Sequence, residues 1–261
     1  MALDLGALLG GQLFAFLLIF CRVGGMFMVM PGLGESFVPA RLRLQIALAF
    51  SFILLPFLAP HLPAMPKDAI RVAELIGAEL TTGIFFGLIL RLLLSALEIA
   101  GMFASMQTGL SNAMILNPAM ASQGSVPGAL LSMLGIVILF ESNLSDNMLR
   151  ALAGSYDFFK PGVFLPVGDM SQFVSQTVNA SFSLALKLAA PFMVLGIAFQ
   201  LVAGLMVKMV PQMQIFFVAA PLQILLGLAI LAFILAAMMG LWVDGFREGM
   251  MRLFTGGGTA V

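Results

Sequence analysis

The chain has 261 residues, 61% of them hydrophobic and 9% charged, and a mean hydropathy of +1.11. So little charge cannot dress the surface of a water-soluble domain of this size, so the sequence reads as an integral membrane protein. Twelve Lys plus Arg balance twelve Asp plus Glu, and the single Cys21 and single His61 exclude an internal disulfide and a typical zinc site.

A helix crossing the roughly 30 Å hydrocarbon core needs about 20 mostly apolar residues. Six segments are candidates by that measure: 8–30, 42–62, 72–94, a shorter one at 126–140, 178–207 and 214–243. The expected fold is therefore all-α, with about six long hydrophobic helices, several of them broken, in one membrane-embedded domain over 1–261. The opening MALDLGALLGG lacks the basic segment and cleavage site of a signal peptide and reads as the start of the first helix. PGLGESFVPARLR (31–43) and APHLPAMPKDAIR (59–71) carry the Pro, Gly and charge of connections. The polar interval 141–169 has room for a short amphipathic helix around 146–152, and 255–261 reads as a loose tail. Cations fall in both alternating sets of loops, so the positive-inside rule assigns no orientation.

Charges inside or bordering the apolar runs should not face lipid, because a charge at the bilayer centre costs about 2.5–3.5 kcal/mol. Arg22, Glu74, Glu79, Arg91, Glu98, Lys187 and Lys208 are of this kind. For Arg91, Glu98 and Lys208, near segment ends, snorkelling and protein pairing both stay open. Lys187 lies well inside its run and is expected to sit against protein or water. GALLG (6–10) and GIFFG (83–87) each put two glycines on one helix face, a pattern that admits close packing but also arises by chance.

The stretch QTGLSNAMILNPAMASQGSVPG (107–128) differs in kind. It sits in a region with no charge between Glu98 and Glu141, yet amides and hydroxyls alternate in it with Met, Leu and Ile, and Pro and Gly break it. Non-helical backbone at membrane depth is tolerated only where protein buries it or it lines an aqueous cavity. The polar side chains over 106–123 suit satisfying that backbone locally. Met106, Leu110, Met114, Ile115, Leu116 and Met120 offer soft apolar closure, and Gln107, Asn112 and Asn117 supply neutral polar groups. Two readings stay open on these residues: a yielding plug, and a statically packed connecting loop.

Three motifs carry a family resemblance. LVAGLMVKMVPQMQIFFVAAPLQILLGL (201–228) places Lys208, Pro211, Gln212, Phe216, Pro221 and Gly227 in a basic-x-x-Pro-Gln, Phe-rich, Pro, Gly order. CRVGGMFMVMPGLGESFVPARLRLQIALA (21–49) contributes Arg22, Pro31, Pro39, Arg41 and Arg43, and MQTGLSNAM (106–114) contributes a Gln-x-Gly-Leu-Ser element with Gly109. Together they resemble the FliR/SctT family of type III export-gate proteins over nearly the whole chain. The family's usual aromatic residue, Asp-Pro and Asn-Gly-His are replaced here by Asn112, Asn117-Pro118 and the Ser142-Asn143 region.

The resemblance implies a core subunit of the flagellar protein export gate, in the inner membrane at the flagellar basal body, with hairpin-like helices largely lifted from the bilayer plane. It implies FliP-like and FliQ-like membrane partners, FlhB-like and FlhA-like export components, unfolded polypeptide as cargo, and no cofactor. It favours the plug reading of 106–123. A virulence injectisome subunit is the near alternative and a secondary transporter the distant one, although no internal repeat supports the latter. An enzyme would need a nucleophile-base pair or metal cluster, which one His and one Cys do not supply. For Glu74, Glu79 and Glu98, structural pairing ranks ahead of a proton relay.

Overall fold

A computed structural model describes residues 5–111, 125–164, 166–209 and 215–254. Every regular element among them is helical. In order they are α1 (Leu5–Val29), α2 (Ala40–Leu58) with a 3-10 turn at Ala59–His61, α3 (Ala69–Gln107), α4 (Val126–Glu141), α5 (Leu144–Phe158), α6 (Val167–Met209) and α7 (Ile215–Phe254). Among the described residues, five helices are long and apolar enough to cross a membrane, or six if α4 and α5 count as one span bent by 73°. The all-α membrane architecture read from the sequence is what the structure has, and the bend falls at the Ser142-Asn143 region.

Helix lengths depart from the expectation. α3, α6 and α7 run for 39, 43 and 40 residues, about 60 Å each at 1.5 Å per residue and twice what a hydrocarbon core requires. A hydropathy window ends where polar side chains begin, whereas a helix continues as long as its backbone bonds close. α3 therefore runs on past Ser95 and Glu98, and α6 begins before the apolar run, through Ser171, Gln172, Ser175 and Gln176. The amphipathic helix expected around 146–152 is the centre of α5.

The chain resolves into two compact units, each assembled from separated pieces. The first comprises Met1–Leu92, Phe140–Thr177 and Met250–Val261, and the second Leu93–Leu139 and Val178–Gly249.

In the first unit, α1 and α3 approach through glycine. A Cβ on Gly83 would strike the Arg22 carbonyl, and one on Gly87 would meet the Met26 carbonyl oxygen at 2.7 Å. GIFFG is thus a working helix contact, whereas Gly10 of the other pair faces open space. Phe27 meets Phe50 of α2 edge to face at 5.6 Å. The turn between α1 and α2 uses Gly32 at φ 84°, a left-handed geometry that favours glycine. Arg43 holds this turn by donating from Nη2 to the carbonyls of Glu35 (3.0 Å) and Val38 (3.2 Å). Pro31 is buried within the turn, Pro39 immediately precedes α2, and Arg41 points outward.

In the second unit, Trp242 is fully buried. Its Nε1 donates to the Leu93 carbonyl at 3.1 Å, and its ring sits 5.3 Å from Phe246. Gly135 of α4 fits against Leu94, Leu97 and Trp242, and Gly249 against Leu93. Residues 178–209 of α6 and 215–249 of α7 lie only five residues apart in sequence, yet Gly245 rests on Leu184 far from that connection. The two segments therefore form an antiparallel hairpin.

Candidate functional site

Two clusters gather sequence-predicted residues, one in each unit. The first is built around Arg22, on a helix that otherwise reads as a bilayer span. The side chains of Arg22 and Glu79 are 1% and 0% exposed. Arg22 Nε donates to Glu79 Oε2 at 2.6 Å and Nη2 to Oε1 at 3.1 Å, a two-pronged pair. The remaining donors reach the end of α5 and the turn after it: Nη1 to Ser155 Oγ at 3.2 Å and Nη2 to the Phe159 carbonyl at 3.3 Å. Gly162, at φ 75°, donates its backbone N–H to Glu79 Oε1 at 2.8 Å. The guanidinium lies 3.9 Å above the centre of the Tyr156 ring, which adds a cation–π attraction. One buried ion pair thus ties α1, α3 and 155–162 together.

The Tyr156 hydroxyl in this cluster is buried and has no hydrogen-bond partner among the described residues. Phenylalanine keeps the ring over Arg22 and removes a hydroxyl that gains nothing from burial. Tyr156→Phe is therefore expected to leave stability within about 0.5 kcal/mol of the parent or to raise it, as read from thermal unfolding in detergent.

The second cluster is the end of α3. Gly109 takes φ 76° directly after the last turn and reverses the chain, as glycine commonly does past a helix C-terminus. The Thr108 N–H returns to the Ala104 carbonyl (2.9 Å) and the Ser111 N–H to the Ser105 carbonyl (3.2 Å). This end is seated on the α6–α7 hairpin: the Gln107 side chain fills the place of a side chain at Gly196, and Thr108 does the same at Gly227. Gln223 Nε2 of α7 donates to the Gln107 carbonyl at 2.6 Å, satisfying an acceptor that the terminated helix leaves open. Below the seat, α3 and α4 touch backbone to backbone at Gly101 and Gly128. The seat is uncharged throughout.

The other sequence-predicted residues are dispersed. Glu74 pairs with Arg71 at 2.7 Å on the surface, a pair worth about 0–1 kcal/mol. Arg91 reaches Glu35 at 3.4 Å, partly exposed. Glu98, Lys187 and Lys208 lie on exposed surface. Met106 is exposed and Leu110 half-buried. Asn112, Met114, Ile115, Leu116, Asn117, Met120, Pro211 and Gln212 lie outside the described residues. Phe216 is in the first turn of α7, and Pro221 is exposed on the second.

Gln223 and Gly196 are absent from the sequence-based set. Gln223 carried a legible signal, as the only amide in the uncharged run 215–243 of α7. Gly196 carried none, because a lone glycine in an apolar helix is ordinary.

Comparison with known proteins finds relatives over most of the chain. The chain is 38% identical to the flagellar biosynthetic protein FliR of Caulobacter vibrioides over 244 residues, covering 94% of this chain and 97% of that protein. It is 28% identical to FliR of Bacillus subtilis over 213 residues, 80% and 82% of the two chains. It is 27% identical to the Yop proteins translocation protein T of Yersinia pestis over 214 residues, 81% and 82%. Residues 13–249 match the family described as bacterial export proteins, family 1, a span that takes in the Arg22 cluster, the α3 terminus and its hairpin seat: the chain belongs to that family.

Proposed function

We propose that this export-family protein is a core subunit of the flagellar type III export gate. In this reading it forms part of the channel through which unfolded substrates cross the inner membrane at the basal body, and the segment 106–123 is its plug. FliP-like and FliQ-like membrane subunits are its immediate companions, with FlhB-like and FlhA-like export components beyond them.

The observation that carries the plug is the seat at the end of α3. A helix opens at Gly109 among apolar helices, and the open end is held by one amide hydrogen bond and two glycine contacts. These contacts are short-range and neutral, so the segment they hold can stop water and ions by contact and dewetting without binding a passing chain by charge.

Deletion of 107–123 tests this reading. The expected result is unchanged recovery of the companion subunits with a tagged copy and a raised small-ion conductance of vesicles containing the complex. Unchanged conductance would remove the plug, and a tagged chain that brings down no membrane companions would remove the gate. The match to the Yersinia translocation protein makes the corresponding injectisome subunit the second reading. It is decided by whether deletion of the gene abolishes motility or injection.

A further inference from the structure

We infer that one face of α7, made by Gln223 and Gly227, is the latch that holds the α3 terminus in its closed position, with Gln223 as the positioning residue. The inference deepens the plug reading and rests on it: it assigns the threshold for opening to α7.

The first observation is how α3 is capped. Near its end, the Ala104 carbonyl accepts from the Thr108 N–H and the Ser105 carbonyl from the Ser111 N–H, so both are satisfied locally. The chain then reverses at Gly109, and among the described residues the Gln107 carbonyl takes its donor from another helix, Gln223 Nε2 at 2.6 Å. The cap of α3 is completed by α7. Withdrawing that amide would leave a carbonyl open between apolar helices, where an unmade hydrogen bond is costly.

The second observation is that the two glycine sockets differ in stiffness. Gln107 and Thr108 are consecutive, so their side chains leave α3 about 100° apart, and one meets α6 at Gly196 while the other meets α7 at Gly227. The terminus is wedged between the arms of the hairpin. A Cβ on Gly196 would strike Gln107 Oε1, the far end of a flexible side chain, whereas one on Gly227 would strike Thr108 Cγ2 and lie 2.5 Å from Thr108 Cβ. A β-branched side chain has little freedom to turn away, so the α6 contact yields and the α7 contact does not. Gln223 and Gly227 are four residues apart and share a face of α7. The amide and the hard socket therefore act on the terminus together.

The third observation is a weak point in α7 beside the latch. Pro221 lies inside the helix, two residues before Gln223, and has no N–H to brace the preceding turn. Bending α7 there breaks one backbone bond fewer than bending it elsewhere. A pull on the start of α7 can thus draw Gln223 from Gln107 while the rest of the helix stays intact.

Potassium efflux tests the latch, measured on vesicles containing the full chain with its co-purified companions. Gln223→Met keeps the length of the side chain and removes the donor, and is expected to raise efflux roughly tenfold, the effect of losing one buried hydrogen bond, with companion recovery and export of flagellar protein into the medium both retained. Gly227→Ala should leak as well, because it displaces Thr108. Adding Thr108→Gly to it moves the glycine across the contact and should return efflux towards the parent value, a rescue that a general loss of stability would not give. Gly204→Ala on α6, away from the seat, should match the parent. Parent-like efflux in Gln223→Met, or a double variant that leaks as much as Gly227→Ala, would overturn the latch. Deletion of 107–123 runs alongside as the reference. If the deletion leaks and Gln223→Met does not, the latch falls and the plug stands; if the deletion does not leak, the plug reading falls and takes the latch with it.

Discussion

Replacing Arg22 with alanine is expected to lower stability by about 3–5 kcal/mol, because it leaves the Glu79 carboxylate buried with its countercharge gone. Glu79 would keep only the Gly162 N–H, while Ser155 and the Phe159 carbonyl would each lose a donor. Glu79→Ala should cost a similar amount for the mirror-image reason. The informative variant is the pair Arg22→Met with Glu79→Leu, which removes both charges and keeps apolar volume. Exchanging a whole buried ion pair for apolar side chains is often neutral, so the double variant should recover most of the loss. Thermal unfolding in detergent of the two single variants and the double completes the cycle. Single losses below about 1 kcal/mol, or a double loss equal to their sum, would contradict a coupled pair.

Gly101→Val is expected to be the most damaging change in the second unit. The obstacle at Gly101 is the Gly128 backbone, which cannot swing aside as a side chain end can, so α3 and α4 would have to separate. Overpacking of this kind costs about 1–3 kcal/mol or more, and it falls immediately below the seat of the α3 terminus. The control is Gly204→Ala on α6, where an added methyl group meets nothing within 4 Å and helix propensity favours alanine by up to about 1 kcal/mol. Measured melting temperatures should move in opposite directions. A tolerated valine at Gly101 would show that the α3–α4 contact is slack.

What the sequence disclosed follows from the range of each interaction. Uncharged runs are local, so the helix starts at 126 and 215 were legible to within a residue of the expected 126 and 214. Arg22 was visible as a charge inside an apolar run, but its partner lies 57 residues away, and no local pattern selects Glu79 over Glu74. The end of α3 at Gln107 lay beyond the reach of a twenty-residue window, since nothing apolar ends there; it is the backbone reversal at Gly109 that ends the helix. Of two equivalent glycine pairs, the structure uses GIFFG and leaves Gly10 open, a choice made by the opposing helix and not by the motif.

The long reach of the Arg22 pair also bears on how the chain is made. At about 5–20 residues per second, the 57 positions to Glu79 represent roughly 3–11 s of synthesis, and the turn at Phe159 and Gly162 arrives later still. Until then the first helix leaves the ribosome carrying a cation with no anion to meet it, a poor substrate for release into lipid. Shelter of α1 while α3 is translated would spare the chain that cost of about 2.5–3.5 kcal/mol until Glu79 arrives to meet Arg22.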